Sequence, residues 1–267
     1  MASGPQGREE GDFFSMKIKS ISLHNVNLHY ASVAYKERSL KSLLGSLLTS
    51  SKKRPVVADI HALKNISVEI CQGERVGLLG HNGAGKSTFL KTVAELYPIS
   101  SGQLTVEGQV RSLFDLSLGF EPDATGRENI LYRGLLLGLS PTFMRAKEAA
   151  IVEFAGLGEF IDYPIKTYSA GMQVRLAFAI STAVGGDILL LDEVIGAGDA
   201  NFMAKAKQRI VNLIEQSEIL ILASHDFGAL SSLCERGLVF HHGELIFDGS
   251  ITSAIARYRV VNGISSV

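Results

Sequence analysis

Nine residues, GHNGAGKST at positions 80–88, constrain this chain more than any other stretch. They match the pattern GxxxxGK[ST] and lie between a short apolar run, VGLLG at 76–80, and a segment of helical spacing, STFLKTVAEL at 87–96. The reading is strand, glycine loop, helix. Gly80, Gly83 and Gly85 free the backbone to turn its N–H groups onto phosphate oxygens, and the helix that follows adds the positive end of its dipole. Lys86 reaches the outer phosphates as a point charge, and the Ser87 hydroxyl is placed to ligate Mg²⁺. His81, Asn82, Ala84 and Thr88 are counted with them as nucleotide-binding. A chance glycine turn before a helix is the competing reading, and the motif fixes a nucleotide phosphate rather than a reaction.

Two further apolar runs of strand length, DILLLDE at 187–193 and EILILASHD at 218–226, are separated by a segment at 201–217 that reads as helix. Buried parallel strands joined by helices fit this pattern, so the expected class is α/β. The stretch at about 122–182 is rich in Leu, Ala, Arg and Glu without a convincing strand, and reads as a helical subdomain inserted into that core. Segments 17–30, 64–71 and 236–249 alternate like antiparallel strands, with a hairpin turning at Gly243. A carboxylate at the end of a buried strand beside the phosphate loop holds Mg²⁺, which selects Asp192; Glu193 is placed to polarise an attacking water as general base. YSAGM at 168–172 opens an apolar helix on small residues, a second phosphate-reading helix start, with a plain Ser169 N-cap as the bland alternative. One complete phosphate loop and one separate helix start invite a head-to-tail dimer.

Composition removes other classes. The 26 basic and 27 acidic residues balance, which argues against a polyanion-coating protein, and nucleic acid is not expected as a partner. The longest stretch without Asp, Glu, Lys or Arg is the 16 residues at 20–35, interrupted by His24, Asn25, Asn27 and His29, short of the roughly 20 apolar residues of a membrane span. Cys71 and Cys234 form neither a disulfide framework nor a metal spacing. Residues 1–15 lack a signal-peptide pattern and read as a tail, and 261–267 as a second one.

The ordered series of phosphate loop, YSAGM, LLLDE, IGAGDA at 195–200 and ASHD at 223–226 resembles the ATP-binding subunit of an ATP-binding-cassette transporter, over roughly 16–260. The resemblance implies a P-loop NTPase core of RecA-like type with an antiparallel β subdomain and an inserted helical one, ATP and Mg²⁺ as ligands, and a homodimer closed on two ATP molecules. By the same resemblance Ser169, Ala170 and Gly171 contact the γ-phosphate held by the other copy, Asp199 couples the two sites, and His225 senses the γ-phosphate. The family's adenine-stacking aromatic falls on Tyr30, with Tyr35 competing. Glu121 stands where the family carries a glutamine that touches Mg²⁺ and water, so an extra negative charge is expected there.

YSAGM in place of the commoner LSGGQ, together with GFEPDATGRENI at 119–130, is similar to the subset exporting cell-envelope polysaccharides: O-antigen, capsule and teichoic acid. Such a subunit energises a separate integral-membrane permease, acts only indirectly on the lipid-linked glycan, and sits peripherally on the cytoplasmic face of the inner membrane. An insertion at about 36–54 carries Leu40, Leu43, Leu44, Leu47 and Leu48 at helical spacing, with six basic residues against Glu37. It reads either as a surface helix on its own domain or as an interfacial helix under the permease, near anionic lipid. A final helix is expected near 250–260, and with the chain ending at Val267, export is expected not to need recognition of a glycan cap by this subunit. An importer or efflux ATPase, and a non-transport switch protein, are the rival readings.

Overall fold

The computed structural model describes residues 18–33, 57–114, 119–192 and 200–263. Tyr35, the leucine stripe at 40–48, Glu193, Asp199 and the tail at 1–15 lie outside the described residues.

Strand β3 (Arg75–Leu79) is buried from Val76 to Leu79, β6 (Ile188–Asp192) from Ile188 to Leu191, and β7 (Ile219–Ala223) throughout. Strands apolar on both faces need a layer on each side. They belong to a six-stranded sheet in the order β5-β6-β7-β3-β8-β9, with β5 at Val110–Ser112, β8 at Arg236–His241 and β9 at Glu244–Ser250. All pairings are parallel except β8 with β9. One face, with Val76, Leu78, Leu190, Ile221 and Phe240, packs on Phe89, Leu90 and Val93 of helix α1 (Lys86–Val93) and on a three-stranded antiparallel sheet. That second sheet has the order β2-β1-β4, from Ser20–Val33 (β1), Val57–Cys71 (β2) and Ser101–Glu107 (β4). The opposite face, with Leu79, Leu189, Leu191, Leu222 and Val239, is covered by α5 (Ala200–Gln216) and α7 (Ile251–Val261). The 2-residue period of the strands thus divides one apolar run between two cores.

Segment 236–249 forms the expected hairpin, with one pairing more. Its alternation suggests antiparallel strands, and β8 does pair so with β9, yet β8 also runs parallel beside β3 in the central sheet. Gly237 to Phe240 are all buried because both faces of β8 are covered, so the pattern of a half-exposed strand applies only to β9.

Helices α2 (Gly126–Leu136), α3 (Pro141–Ala155) and α4 (Ala170–Ser181) share a separate core of Ile130, Met144, Ile151, Leu157, Ile161, Leu176 and Ile180. Each starts where its sequence provides a cap. Thr125 and Glu128 form a capping box, Ser140 caps ahead of Pro141, and the Ser169 hydroxyl accepts from the N–H of Met172. Among the described residues no helix is long and apolar enough to cross a membrane.

Candidate functional site

The phosphate loop leaves β3 at Leu79 and enters α1 at Lys86, so its shape is set by what the sheet edge lets past. A Cβ on Gly80 would lie 2.7 Å from the carbonyl oxygen of Phe240 and 2.9 Å from Cβ of Ala84, which only glycine avoids. Lys86 is 7 % exposed, and its ammonium donates to the carbonyl of Gly80 at 2.5 Å and to that of His81 at 3.4 Å. The charge is held inside the loop by carbonyls. Ser87, on the exposed side of the first turn of α1, and Thr88, half-buried, follow it. The ring of His81 turns away, toward the β8–β9 hairpin, and leaves the loop only its backbone for phosphate.

Strand register carries the other side chains to the same edge. Leu78 pairs with Ala223 and Ala223 with Asp192, so the carboxylate at the end of β6 sits in one row with the last turn of β3 before the loop. Beyond Ala223 the chain makes a tight turn: Asp226 donates its N–H to Ser224 Oγ at 3.0 Å and caps α6 (Phe227–Leu233) by accepting from Gly228 and Ala229. His225 at the apex reaches the phosphate loop, its Nε2 standing 3.1 Å from Oδ1 of Asn82. The Ser87 hydroxyl at the start of α1 and the Asp192 carboxylate at the end of β6 are both oxygen donors, the kind that suits hard Mg²⁺.

Tyr30 lies against the other end of the same helix turn. Its hydroxyl is 3.5 Å from Oγ1 of Thr88, its ring meets Tyr97 edge-on at 5.5 Å, and burial pushes its pKa up. Glu121 is fixed through its backbone: its N–H donates to Asn129 Oδ1 at 2.7 Å, and Asn129 Nδ2 donates to the carbonyls of Glu121, Ala124 and Thr125 at 3.0, 3.2 and 2.9 Å. Asn129 is fully buried, and nothing in the motif reading selected it. A polar residue on the inward face of α2, four positions after its cap, was the available signal. Ser169 and Ala170 are exposed at the start of α4, on the helical layer rather than at the loop of their own chain.

The hairpin turns at Gly243 as the sequence suggests; where its tip docks was not legible there. Gly243 donates its N–H to the Ala84 carbonyl at 2.9 Å and accepts from Lys64 at 2.8 Å, docking the tip on the phosphate loop. Its φ of +83°, and a Cβ that would lie 2.7 Å from the Ala62 carbonyl, exclude a side chain.

The family model described as ABC transporter matches residues 63–196. The chain is 42 % identical over 237 residues to the O-antigen export system ATP-binding protein RfbE of Yersinia enterocolitica, covering 88 % of this chain and 99 % of that protein. It is 38 % identical over 221 residues to the O-antigen export system ATP-binding protein RfbB of Myxococcus xanthus, with 83 % of this chain and 51 % of that one covered. The teichoic acids export ATP-binding protein TagH of Shouchella clausii is 38 % identical over 207 residues, 78 % of this chain and 57 % of its own. The chain therefore spans nearly the whole of one of these relatives and about half of the other two. Among solved structures, the dimeric post-hydrolysis state of the ATP-binding cassette MJ0796 bound to ADP and Pi superposes with a TM-score of 0.62 at 22 % identity, covering 86 % of this chain and 98 % of that one, a likeness of fold.

Proposed function

The chain belongs to the ABC transporter family, and we propose that it is the ATP-hydrolysing subunit that powers export of a lipid-linked cell-envelope polysaccharide, O-antigen before capsule or teichoic acid. The observation that carries the reading is the junction of phosphate loop and β7 turn: Lys86 is buried against the loop carbonyls, Asn82 of the same loop meets His225, and Asp192 pairs with Ala223 at the end of β7. Near full-length identity to an O-antigen export subunit supports the choice of cargo.

In this reading the loop amides and Lys86 bind the β- and γ-phosphates of ATP, and Tyr30 borders the adenine side. Glu193 takes a proton from the attacking water as its oxygen bonds to the γ-phosphorus and the bond to the ADP oxygen breaks. His225, oriented by Asn82, donates toward the γ-phosphate oxygens. Asp192, Ser87 and Glu121 would hold Mg²⁺, which would supply charge to offset that of the phosphates. Ser169 and Ala170, exposed, with half-buried Gly171 beside them at the start of α4, complete the site of a second copy in a head-to-tail dimer, and Asp199 couples the two sites. Closure of that dimer drives integral-membrane permease subunits, with the groove from Glu121 to Arg127 as the coupling surface, which makes the protein peripheral to the cytoplasmic face of the inner membrane. The leucine stripe at 40–48 is assigned to the membrane interface under the permease.

Glu193→Gln tests the chemistry. ATP binding should remain, turnover should fall by about 10²-fold or more, and ATP should trap a dimer visible by size-exclusion chromatography. Near-normal hydrolysis refutes the base assignment. For the cargo, deletion in the native cell should remove long-chain glycan from the surface while lipid-linked polymer accumulates inside; unchanged surface glycan overturns it.

A further inference from the structure

We propose that His81, His241 and His242 form a site for one divalent transition-metal ion of the Zn²⁺ class, clamping the phosphate loop to the tip of the β8–β9 hairpin. The inference stands apart from the nucleotide reading, because none of its three rings is needed there.

One ring nitrogen from each histidine falls within 4.8 Å of the others. The ring centroids are 5.3 Å apart for His81 and His241, 4.8 Å for His81 and His242, and 4.3 Å for His241 and His242. Their hydrogen bonding makes this more than a packing of rings. Nδ1 of His81 is 2.8 Å from the carbonyl oxygen of Asn82, and a carbonyl can only accept, so Nδ1 carries the proton and Nε2 presents a bare lone pair. That Nε2 is buried with no hydrogen-bond partner, and so is Nδ1 of His241. Two orphaned buried nitrogens in one cluster are costly unless something satisfies them. An imidazole whose far nitrogen is tied to a carbonyl is also the arrangement that orients a metal-bound histidine.

The ligand chemistry selects the ion. Three imidazoles suit Zn²⁺, Cu²⁺ or Ni²⁺ and not Mg²⁺, which takes oxygen. Tetrahedral Zn–N bonds of about 2.0–2.1 Å place nitrogens about 3.4 Å apart, so the rings must close by roughly an ångström. His242 is the exposed member of the three. The backbone beneath is already docked by the Gly243 to Ala84 hydrogen bond, so binding orders side chains rather than main chain.

The test titrates the full chain, free of affinity tag and nucleotide, with Zn²⁺ by calorimetry, then with Co²⁺ by visible absorption. The expected result is one Zn²⁺ per chain, a tetrahedral Co²⁺ spectrum, and a rise in Tm of about 5–10 °C when free Zn²⁺ is a hundredfold above Kd. His81→Gln and His242→Asn should each abolish these, while His29→Ala, at a separate histidine stacked on His61, should leave them intact. His242 has a φ of 47°, which asparagine tolerates, so the second variant reports on the ligand even if the first disturbs the loop. No saturable Zn²⁺ binding, binding unchanged in His242→Asn, or equal competition by millimolar Mg²⁺ would overturn the proposal.

Discussion

His225 and Asn82 stand 143 residues apart in sequence and 3.1 Å apart in space, Nε2 against Oδ1. Asn82 belongs to the phosphate loop and His225 to the turn after β7, so in the function proposed above the contact would join a nucleotide-binding segment to one that reports on it. An amide oxygen accepts only, so the bond places the proton of His225 on Nε2, directed at the loop. His225→Ala should lower ATP turnover by about 10²-fold or more while leaving nucleotide affinity within about threefold. Asn82→Ala, which removes the orienting partner and leaves the imidazole in place, should cost about tenfold. Phosphate release and binding of a fluorescent ATP analogue separate the two effects, and equal losses of affinity in both variants would refute an orienting role.

Asn129 anchors the segment that carries Glu121. Its amide makes four hydrogen bonds to backbone groups of residues 121, 124 and 125 from a fully buried position. Asn129→Ala should leave several of those groups unsatisfied at a cost of about 2–3 kcal/mol, or about 5–10 °C in Tm. Differential scanning fluorimetry checks the size of the loss, and a shift under 2 °C would show that water replaces the amide.

Gly243 ties hairpin to loop through a backbone that only glycine adopts without strain. Gly243→Ala puts a Cβ 2.7 Å from the Ala62 carbonyl at a φ of +83°, and should cost about 1–3 kcal/mol. Because the Gly243 N–H holds the Ala84 carbonyl, ATP affinity should fall with stability. Affinity measured well below the Tm of the variant distinguishes a displaced loop from simple unfolding.

Asp187 supplies a pH signature. The N–H of Gln109 at 2.8 Å and then the ammonium of Lys19 at 3.1 Å hold its carboxyl below the ordinary carboxylate value, and they tie the residue ahead of β6 to the residues ahead of β5 and β1. A pKa depressed in the folded state contributes stability above the unfolded value near 3.9, and that stability is lost as pH falls through the folded one. Asp187→Asn should therefore lower Tm by about 2 °C at pH 7 and by less at pH 3, with the two proteins converging in acid. A difference that grows on acidification would contradict the assignment.

The residues of the phosphate loop, the two apolar strands behind it and the Ser169 cap could be named from sequence, because each depends on chemistry within a few positions of itself. Gly-x-x-x-x-Gly-Lys-Ser is a local backbone requirement, and a strand buried on both faces announces itself as an unbroken run such as ILLL at 188–191. The nearness of His225 to Asn82, the row from Leu78 through Ala223 to Asp192, and the parallel place of β8 beside β3 follow from strand order, which no local pattern encodes. What Asn129 and the three clustered histidines hold together was hidden for the same reason. Their significance lies in which polar atoms are buried together, and burial is decided only when distant segments pack.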